Sequence, residues 1–283
     1  MDEDTQSTAD EGWVDESIDV QPGGTLYLDL DGGQVWVRSH AESSVRIRAS
    51  ARGWSAGMVD FVVEEVGNDV QFDASVDGWL PFLLGRPRIR VHAWVPEHYA
   101  VEVDTAGGAV SVSGVDGRVG VHTKGGHIAV EGVRGPVWLR TASGHIEVED
   151  VVGDLRANTS AGRIEVAGID GDVELRTSGG RIEVEGAGGQ VDARTGGGRI
   201  DVHFAEEPYG RLRTGGGSIT VEFPTGAGAD VDARTGGGRV IVDPPLVSEE
   251  RAGGTQLRSA VNGGGLPLEL RTGGGNIRLK LRA

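Results

Sequence analysis

Apolar and polar residues alternate along most of this chain, and the alternation recurs at a fixed interval. The clearest copies read Thr-Ser-Gly-Gly-Arg-Ile-Glu-Val from Thr177 and Thr-Gly-Gly-Gly-Arg-Ile-Asp-Val from Thr195. The threonines that open the regular copies are 18 residues apart, and they are Thr105, Thr123, Thr141, Thr159, Thr177 and Thr195. Looser copies begin at Thr214, Thr235 and Thr272. Such self-similarity predicts a repetitive architecture with one structural unit per copy.

Each copy predicts two short β-strands. Around Thr177, the apolar residues Val173 and Leu175 precede the glycine turn, and Ile182 and Val184 follow it. Because side chains alternate between the two faces of a strand, we expect aliphatic side chains to point inward and charged ones outward. The parity is the same in every copy, so inward residues should form continuous columns. No segment has helical spacing, and the pattern therefore predicts an all-β fold.

Two arrangements fit this pattern. We favour a single-chain β-solenoid (β-helix) with coils of about 18 residues, in which neighbouring coils hydrogen-bond at about 4.8 Å and opposed strands share one core. The alternative is an antiparallel meander with one hairpin per repeat, folded into a roll or sandwich. A one-faced sheet needs a covering layer, and no covering helix is apparent in the sequence. The meander stays open at this point.

The pattern divides the chain into four regions. Ten of the fourteen aromatic residues precede residue 100, and we interpret them as sealing one end of the repeat array against edge association. The expected regions are a disordered acidic tail at 1–12, an aromatic-rich N-terminal β cap with irregular coils at 13–100, the regular solenoid at 101–245, and C-terminal coils with an irregular insertion at 246–283.

Composition narrows the classes of partner. The formal net charge of −16 argues against nucleic acid, which binds surfaces rich in Lys and Arg. The absence of cysteine excludes disulfides and thiolate metal sites. No apolar run reaches the roughly 18 residues of a membrane helix, and Asp2, Glu3 and Asp4 follow Met1 where a secretion leader would be basic and then apolar. We therefore expect no transmembrane segment and no signal peptide in this chain.

Several motifs together resemble the bacterial putative-adhesin family of β-strand-repeat proteins, a domain of unknown function related to autotransporter-like adhesin heads. They are Leu-Asp-Leu-Asp-Gly-Gly-Gln-Val from Leu28, Val95-Pro96 leading into Thr105-Ala-Gly-Gly, the repeated Thr-Ser-Gly-Gly-x-Ile-x-Val phrase, and Asn-Gly-Gly-Gly from Asn262. The resemblance covers about residues 13–283. It implies a repetitive β-solenoid, exported or attached to the cell envelope, with no established catalytic residues.

The titratable residues give no specific sign of catalysis. Acids recur at one position of the repeat beside arginines, whereas a catalytic carboxylate pair should break the repeat and occupy a pocket. The best metal candidates are His122, His127 and His145 in adjoining copies, which we interpret as exposed histidines. We therefore expect a protein that is not an enzyme and has no cofactor and no metal site.

Two features are candidate partner-binding sites. The residue before each threonine gives an outward arginine column, formed by Arg140, Arg176, Arg194, Arg213, Arg234 and Arg271 and interrupted by Asn158. Arginine forks suit carboxylates and sulfates, so the five later members could bind an acidic polymer or an acidic protein partner. The other interpretation is that these arginines pair with outward acids such as Glu174 and Asp192. The second candidate is the apolar stretch from Trp79 through Phe82 to Leu84, which fits cap packing or a partner contact.

The sequence therefore favours a non-catalytic, adhesin-like or scaffolding module associated with the cell envelope. The alternative is a carbohydrate-binding or carbohydrate-cleaving β-solenoid, which exposed aromatic residues along the coils would support. A self-assembling filament is a third class, and it would need open, uncharged ends.

Overall fold

The computed structural model describes residues 12–53, 55–78, 87–243 and 254–282. The chain divides into two units, of which the first ends at Thr141 and the second begins at Ala142. Within the described residues, the regular secondary structure is β-strand apart from one turn of 3-10 helix at Ala56–Met58. The predicted all-β class is confirmed. The predicted tail at 1–12 lies outside the described residues apart from Gly12.

The described part of the first unit forms two sheets. Its strands are β1 Trp13–Asp19, β2 Thr25–Leu30, β3 Gln34–His40, β4 Ser44–Arg52, β5 Val59–Val66, β6 Asp69–Val76, β7 Arg88–Pro96, β8 Ala100–Thr105, β9 Val110–Ser113, β10 Val119–Thr123, β11 Ile128–Arg134 and β12 Val137–Thr141. One sheet has the order β1-β4-β7-β3-β9-β11, and the other has the order β12-β10-β8-β2-β6-β5. Most pairs are parallel, whereas β1, β4 and β5 pair antiparallel with their neighbours.

The second unit also forms two sheets. Its strands are β13 Ile146–Val152, β14 Leu155–Thr159, β15 Ile164–Asp170, β16 Val173–Thr177, β17 Ile182–Ala187, β18 Val191–Thr195, β19 Ile200–Phe204, β20 Gly210–Thr214, β21 Ile219–Pro224, β22 Ala229–Thr235, β23 Val240–Asp243, β24 Gln256–Val261, β25 Leu266–Thr272 and β26 Ile277–Arg282. The first sheet has the order β13-β15-β17-β19-β21-β26-β23, and the second has the order β24-β22-β25-β20-β18-β16-β14.

The register of the second unit follows the sequence repeat. Ile182 pairs with Ile164 on one side and Ile200 on the other, in parallel strands, and all three side chains are buried. The predicted inward columns are therefore confirmed. Because successive copies pair in parallel, the antiparallel meander with one hairpin per repeat is not the arrangement that forms.

The threonine of each copy is buried and hydrogen-bonds the glycine turn. The hydroxyl of Thr177 donates to the carbonyl of Gly162 in the preceding copy at 3.0 Å and accepts from the amide of Gly180 at 3.1 Å. A buried hydroxyl needs such partners, so the threonine serves to hold the backbone of the turn.

Chain order is broken near the C-terminus. Strand β25 pairs with β20 and with β22, and β26 pairs with β21 and with β23. The final pair of strands is therefore inserted between two pairs that precede it in sequence. Strand β24 then covers β22 with an antiparallel pairing.

Candidate functional site

The five later arginines of the predicted column share one register position in the second unit. Arg176 lies beside Arg194, and Arg194 lies beside Arg213. Arg213 is followed by Arg271 and then by Arg234, because β25 is inserted ahead of β22. The column is therefore continuous, with a spatial order that differs from the chain order. Arg140 belongs to β12 of the first unit.

A second column lies two residues earlier on the same strands. Glu174, Asp192, Arg211, Glu269 and Asp232 occupy neighbouring positions across β16, β18, β20, β25 and β22. Both columns project from the sheet on the side opposite the buried aliphatic residues, since they occupy the alternate positions of each strand. The second column is extended by Arg156 at one end and Arg258 at the other. We call the two columns together, with these two residues and with Asp230 of β22, the arginine strip.

Most arginines of the strip are paired with carboxylates. Arg176 pairs with Glu174. Arg213 donates from one terminal nitrogen to both oxygens of Glu269, at 3.1 Å each. Four of the five predicted column residues make such charge-assisted contacts with carboxylates. Pairing with outward acids is the alternative to partner binding that the sequence analysis gives for this column.

Asp232 is the most heavily paired acid of the strip. Its carboxylate lies 3.1 Å from Arg271, 3.3 Å from Arg234 and 3.2 Å from Arg258. The hydrogen bond from Arg271, with the charges of all three arginines, holds the pKa of Asp232 below its ordinary value. The carboxylate is therefore kept ionised and acts as the centre of a small charge network.

Arg194 differs from its neighbours. Among the described residues its guanidinium has no ion pair or hydrogen bond. It borders a cavity of about 140 Å³ whose lining includes Arg176, Asp192 and Arg213. Within the described residues, Asp192 Oδ1 and Arg213 Nε are buried atoms without a hydrogen-bond partner. At roughly 30 Å³ per water molecule, the cavity has room for several waters or for one anionic group.

The balance of charge on the strip is positive. Its outward positions carry eight arginines, Arg156, Arg176, Arg194, Arg211, Arg213, Arg234, Arg258 and Arg271, against five carboxylates, Glu174, Asp192, Asp230, Asp232 and Glu269. The other sheet of this unit carries an outward acidic column instead, formed by Glu147, Glu165, Glu183 and Asp201. The strip is therefore richer in arginine than in acid, although the protein has a net charge of −16.

The first unit carries a cationic face that the sequence reasoning did not single out. Trp36, His92 and Trp94 occupy outward positions of β3 and β7, flanked by Arg38, Arg46 and Arg48. The alternation around Trp36, which lies between the buried Val35 and Val37, was a signal for this orientation. The sequence instead predicts that the aromatic residues of this region seal one end of the repeat array.

The apolar stretch and the histidines are the other candidate sites of the sequence. Trp79 and Phe82 lie outside the described residues.

Of the candidate metal ligands, His122 lies 3.1 Å from Asp104, and Nδ1 of His145 accepts a hydrogen bond from the amide of Arg163 at 3.1 Å. In the part of the chain that the structure describes, no group of three or more histidine, aspartate or glutamate residues is arranged to hold a metal ion. The same part contains no helix long and apolar enough to cross a bilayer.

No protein-family model and no curated protein matches the chain. Among solved structures, a putative adhesin from Bacteroides fragilis is 12% identical over 95% of this chain and 98% of its own, with a TM-score of 0.47. A putative adhesin from Parabacteroides merdae is 12% identical over 95% and 96%, with a TM-score of 0.48. A putative lipid binding protein from Parabacteroides distasonis is 9% identical over 94% and 96%, with a TM-score of 0.46. Similarity at this level assigns no function, and the functional argument rests on the residues of this chain.

Proposed function

We propose that this protein is a non-catalytic binding module built on a β-solenoid, with an adhesin-like role at the cell envelope. The parallel register of successive copies supports the solenoid, because each copy contributes one strand to each of two sheets. Stacked copies repeat the same outward side chain at about 4.8 Å. Such a surface presents a row of equivalent groups to an extended ligand.

The ligand proposed for the arginine strip is a linear acidic polymer. The observation that carries this proposal is the continuous register of five arginines that includes Arg194, which has no carboxylate partner among the described residues and borders a polar cavity. A carboxylate or sulfate placed there would pair with Arg194. An extended polyanion would then replace the protein carboxylates as the partners of the other arginines.

A catalytic role has less support at this surface. Glu174, Glu269 and Asp232 are each paired with at least one arginine. A general acid needs a raised pKa, whereas the pKa of Asp232 is lowered by Arg271. We therefore propose carbohydrate or polyanion binding without cleavage, and expect no turnover of polysaccharides or esters by the purified protein.

The test is retention of the full chain on an immobilised acidic polysaccharide, polygalacturonate, at low and at raised salt. Arg176, Arg194 and Arg213 are replaced together by Gln, which removes three adjacent cations of the column. We expect the parent protein to be retained in a salt-sensitive manner, and the variant to elute at clearly lower salt than the parent, with a little-changed unfolding curve.

A matched control carries Arg163→Gln, Arg181→Gln and Arg199→Gln. These arginines have the same spacing and pair with Glu165, Glu183 and Asp201 of the acidic column. The net charge of the control equals that of the test variant. If both variants lose retention equally, or if the parent protein is not retained, the strip is not the binding site and its arginines have a structural role.

A further inference from the structure

The outer face of the first unit is rich in cations at its N-terminal strands. In β1, β4, β7 and β3 the outward positions carry six arginines, Arg38, Arg46, Arg48, Arg52, Arg88 and Arg90, and two carboxylates, Asp15 and Asp19. Asp15 pairs with Arg46 at 3.1 Å and with Arg48 at 2.7 Å. Most of these cations are thus not neutralised by acids of the same face, so the face attracts anions.

Aromatic rings form a stacked series within this face. The rings of Trp36 and His92 are 4.5 Å apart and nearly parallel, with an interplanar angle of 8°. His92 is 6.2 Å from Trp94, and the guanidinium of Arg46 lies 6.0 Å from the Trp94 ring. Burial, together with Arg38, Arg48 and Arg90, lowers the pKa of His92. Its ring therefore stays neutral near pH 7 and stacks as an uncharged aromatic group.

The stack ends at Trp36, where one side of the indole faces small residues. The neighbour of Trp36 on its other side is Ser111 of β9, followed by Ala129 of β11. Arg38, two residues after Trp36, is beside Ser113. Within the described residues, no ring or cation covers this side of Trp36, and the hydroxyls of Ser111 and Ser113 have no hydrogen-bond partner. Because Ser and Ala are much shorter than Trp, the register leaves a slot, which we call the Trp36 slot.

The Trp36 slot combines three kinds of group. Its wall is an indole face, which packs against the C–H side of a sugar ring because the face of an aromatic ring is electron-rich. Arg38, at the edge of the wall, offers a planar fork for a carboxylate or sulfate. Ser111 and Ser113 on the floor offer hydroxyls that both donate and accept hydrogen bonds, as sugar hydroxyls require. One cation beside one ring face matches a ligand with one charge per sugar ring.

We propose that the Trp36 slot binds one anionic sugar unit of a carbohydrate chain, with the ring stacked on Trp36, its carboxylate or sulfate paired with Arg38, and its hydroxyls bonded to Ser111 and Ser113. A single-stranded nucleic acid also stacks on aromatic residues, but it needs a cationic groove that follows its backbone. The strands beyond the slot place Ala129 and Glu131 next to Ser111 and Ser113, and these offer no such groove. The site does not depend on the arginine strip of the second unit.

The test is calorimetric titration of the full chain with a galacturonic acid trimer, and with the neutral galactose trimer for comparison. We expect binding of the acidic trimer and at least about tenfold weaker binding of the neutral one. Trp36→Ala and Arg38→Gln should each weaken the acidic trimer about tenfold. Trp138→Ala, at an exposed tryptophan of β12, and Arg134→Gln are the matched controls and should leave the affinity unchanged.

Ser111→Leu keeps the test informative if Trp36→Ala fails to fold. It fills the slot, leaves Trp36 and Arg38 in place, and alters a half-exposed position. This variant should lose binding to the slot without a change in the unfolding curve.

Three results would overturn the proposal. They are equal affinity for the two trimers, unchanged affinity of Ser111→Leu, and tighter binding of a single-stranded oligothymidylate than of the acidic trimer. The Arg176, Arg194 and Arg213 variant should bind the trimer normally, and loss of binding there would also overturn the slot assignment while leaving the strip in place.

Discussion

The hydroxyl of Thr195 donates a hydrogen bond to the carbonyl of Gly180 at 2.9 Å, and so joins two successive copies of the repeat. The same oxygen accepts a hydrogen bond from the amide of Gly198 at 3.2 Å. The side chain is buried. Equivalent pairs of bonds recur at Thr159, Thr177, Thr214, Thr235 and Thr272. The row of threonines therefore stabilises the glycine turns from inside.

Replacement of Thr195 by Val should destabilise the protein although it keeps the shape of the side chain. It removes both hydrogen bonds and leaves the half-buried amide of Gly198 and carbonyl of Gly180 with one partner fewer, which costs about 1–3 kcal/mol. Urea unfolding of Thr195→Val and of Thr195→Ser measures the difference. Ser keeps the hydroxyl and should recover most of the loss; equal destabilisation by both would show that the methyl group matters more than the hydroxyl.

Replacement by Ala should change the stability of the protein very differently at the adjacent glycines Gly197 and Gly198. A Cβ on Gly198 would overlap the carbonyl oxygen of Gly180 in the neighbouring copy, whereas a Cβ on Gly197 would meet nothing within 4 Å. Gly198→Ala should therefore cost about 1–3 kcal/mol or more. Gly197→Ala should be neutral or slightly stabilising. Thermal unfolding of the two variants checks this, and similar melting temperatures would contradict the close approach of the two turns.

The parity of the strands predicts a strong contrast between Ile182 and Glu183. Ile182→Asp would place a charge among the buried Ile164 and Ile200, at a cost of several kcal/mol. Glu183→Lys replaces an outward residue that lies 3.5 Å from Arg181, and it should cost less than about 1 kcal/mol. Chemical denaturation separates the two variants. Similar losses would mean that the inward and outward faces are assigned wrongly.

Asp232 should contribute stability that depends on pH. Its pKa is lowered in the folded protein by Arg271, Arg234 and Arg258, so its contribution is present above the ordinary value of 3.8 and is lost as the pH falls through the folded pKa. Asp232→Asn should be less stable than the parent by about 1 kcal/mol at neutral pH. The difference should shrink below pH 3.8.

Unfolding curves over this pH range test the expectation for Asp232. Asp230→Asn is the control, because it removes a charge from the same strand at a position that forms no ion pair within the described ranges. A constant difference between parent and Asp232→Asn at all pH values would contradict the linkage.

The regular part of the fold could be predicted because a strand has a period of two residues. That period placed Ile182 inward and Arg194 outward without knowledge of the sheet, and the repeat set which residues share a column. The order of the last strands could not be predicted, because the residues around Thr235 and Thr272 fit the neighbouring column position equally well. Both threonines follow an arginine and precede three glycines.

The Trp36 slot was missed for a different reason. Large aromatic side chains are favourable to bury, so Trp36 and Trp94 were interpreted as part of a sealed end. Their positions between buried residues of the same strands require them to point outward. The slot forms because Ser111, a small residue, lies beside Trp36 in the adjacent strand. The sequence alone does not place Trp36 and Ser111 side by side.

The insertion of β25 between β20 and β22 has a consequence for biosynthesis. As the chain leaves the ribosome, each strand from β15 to β20 can dock on the strand two places earlier in the chain, so that part can form in step with translation. Strand β22 emerges before its parallel partner β25 exists. It must wait for β25 before it can join the parallel sheet, and the edge of β20 stays open to competing β-strands until β25 arrives.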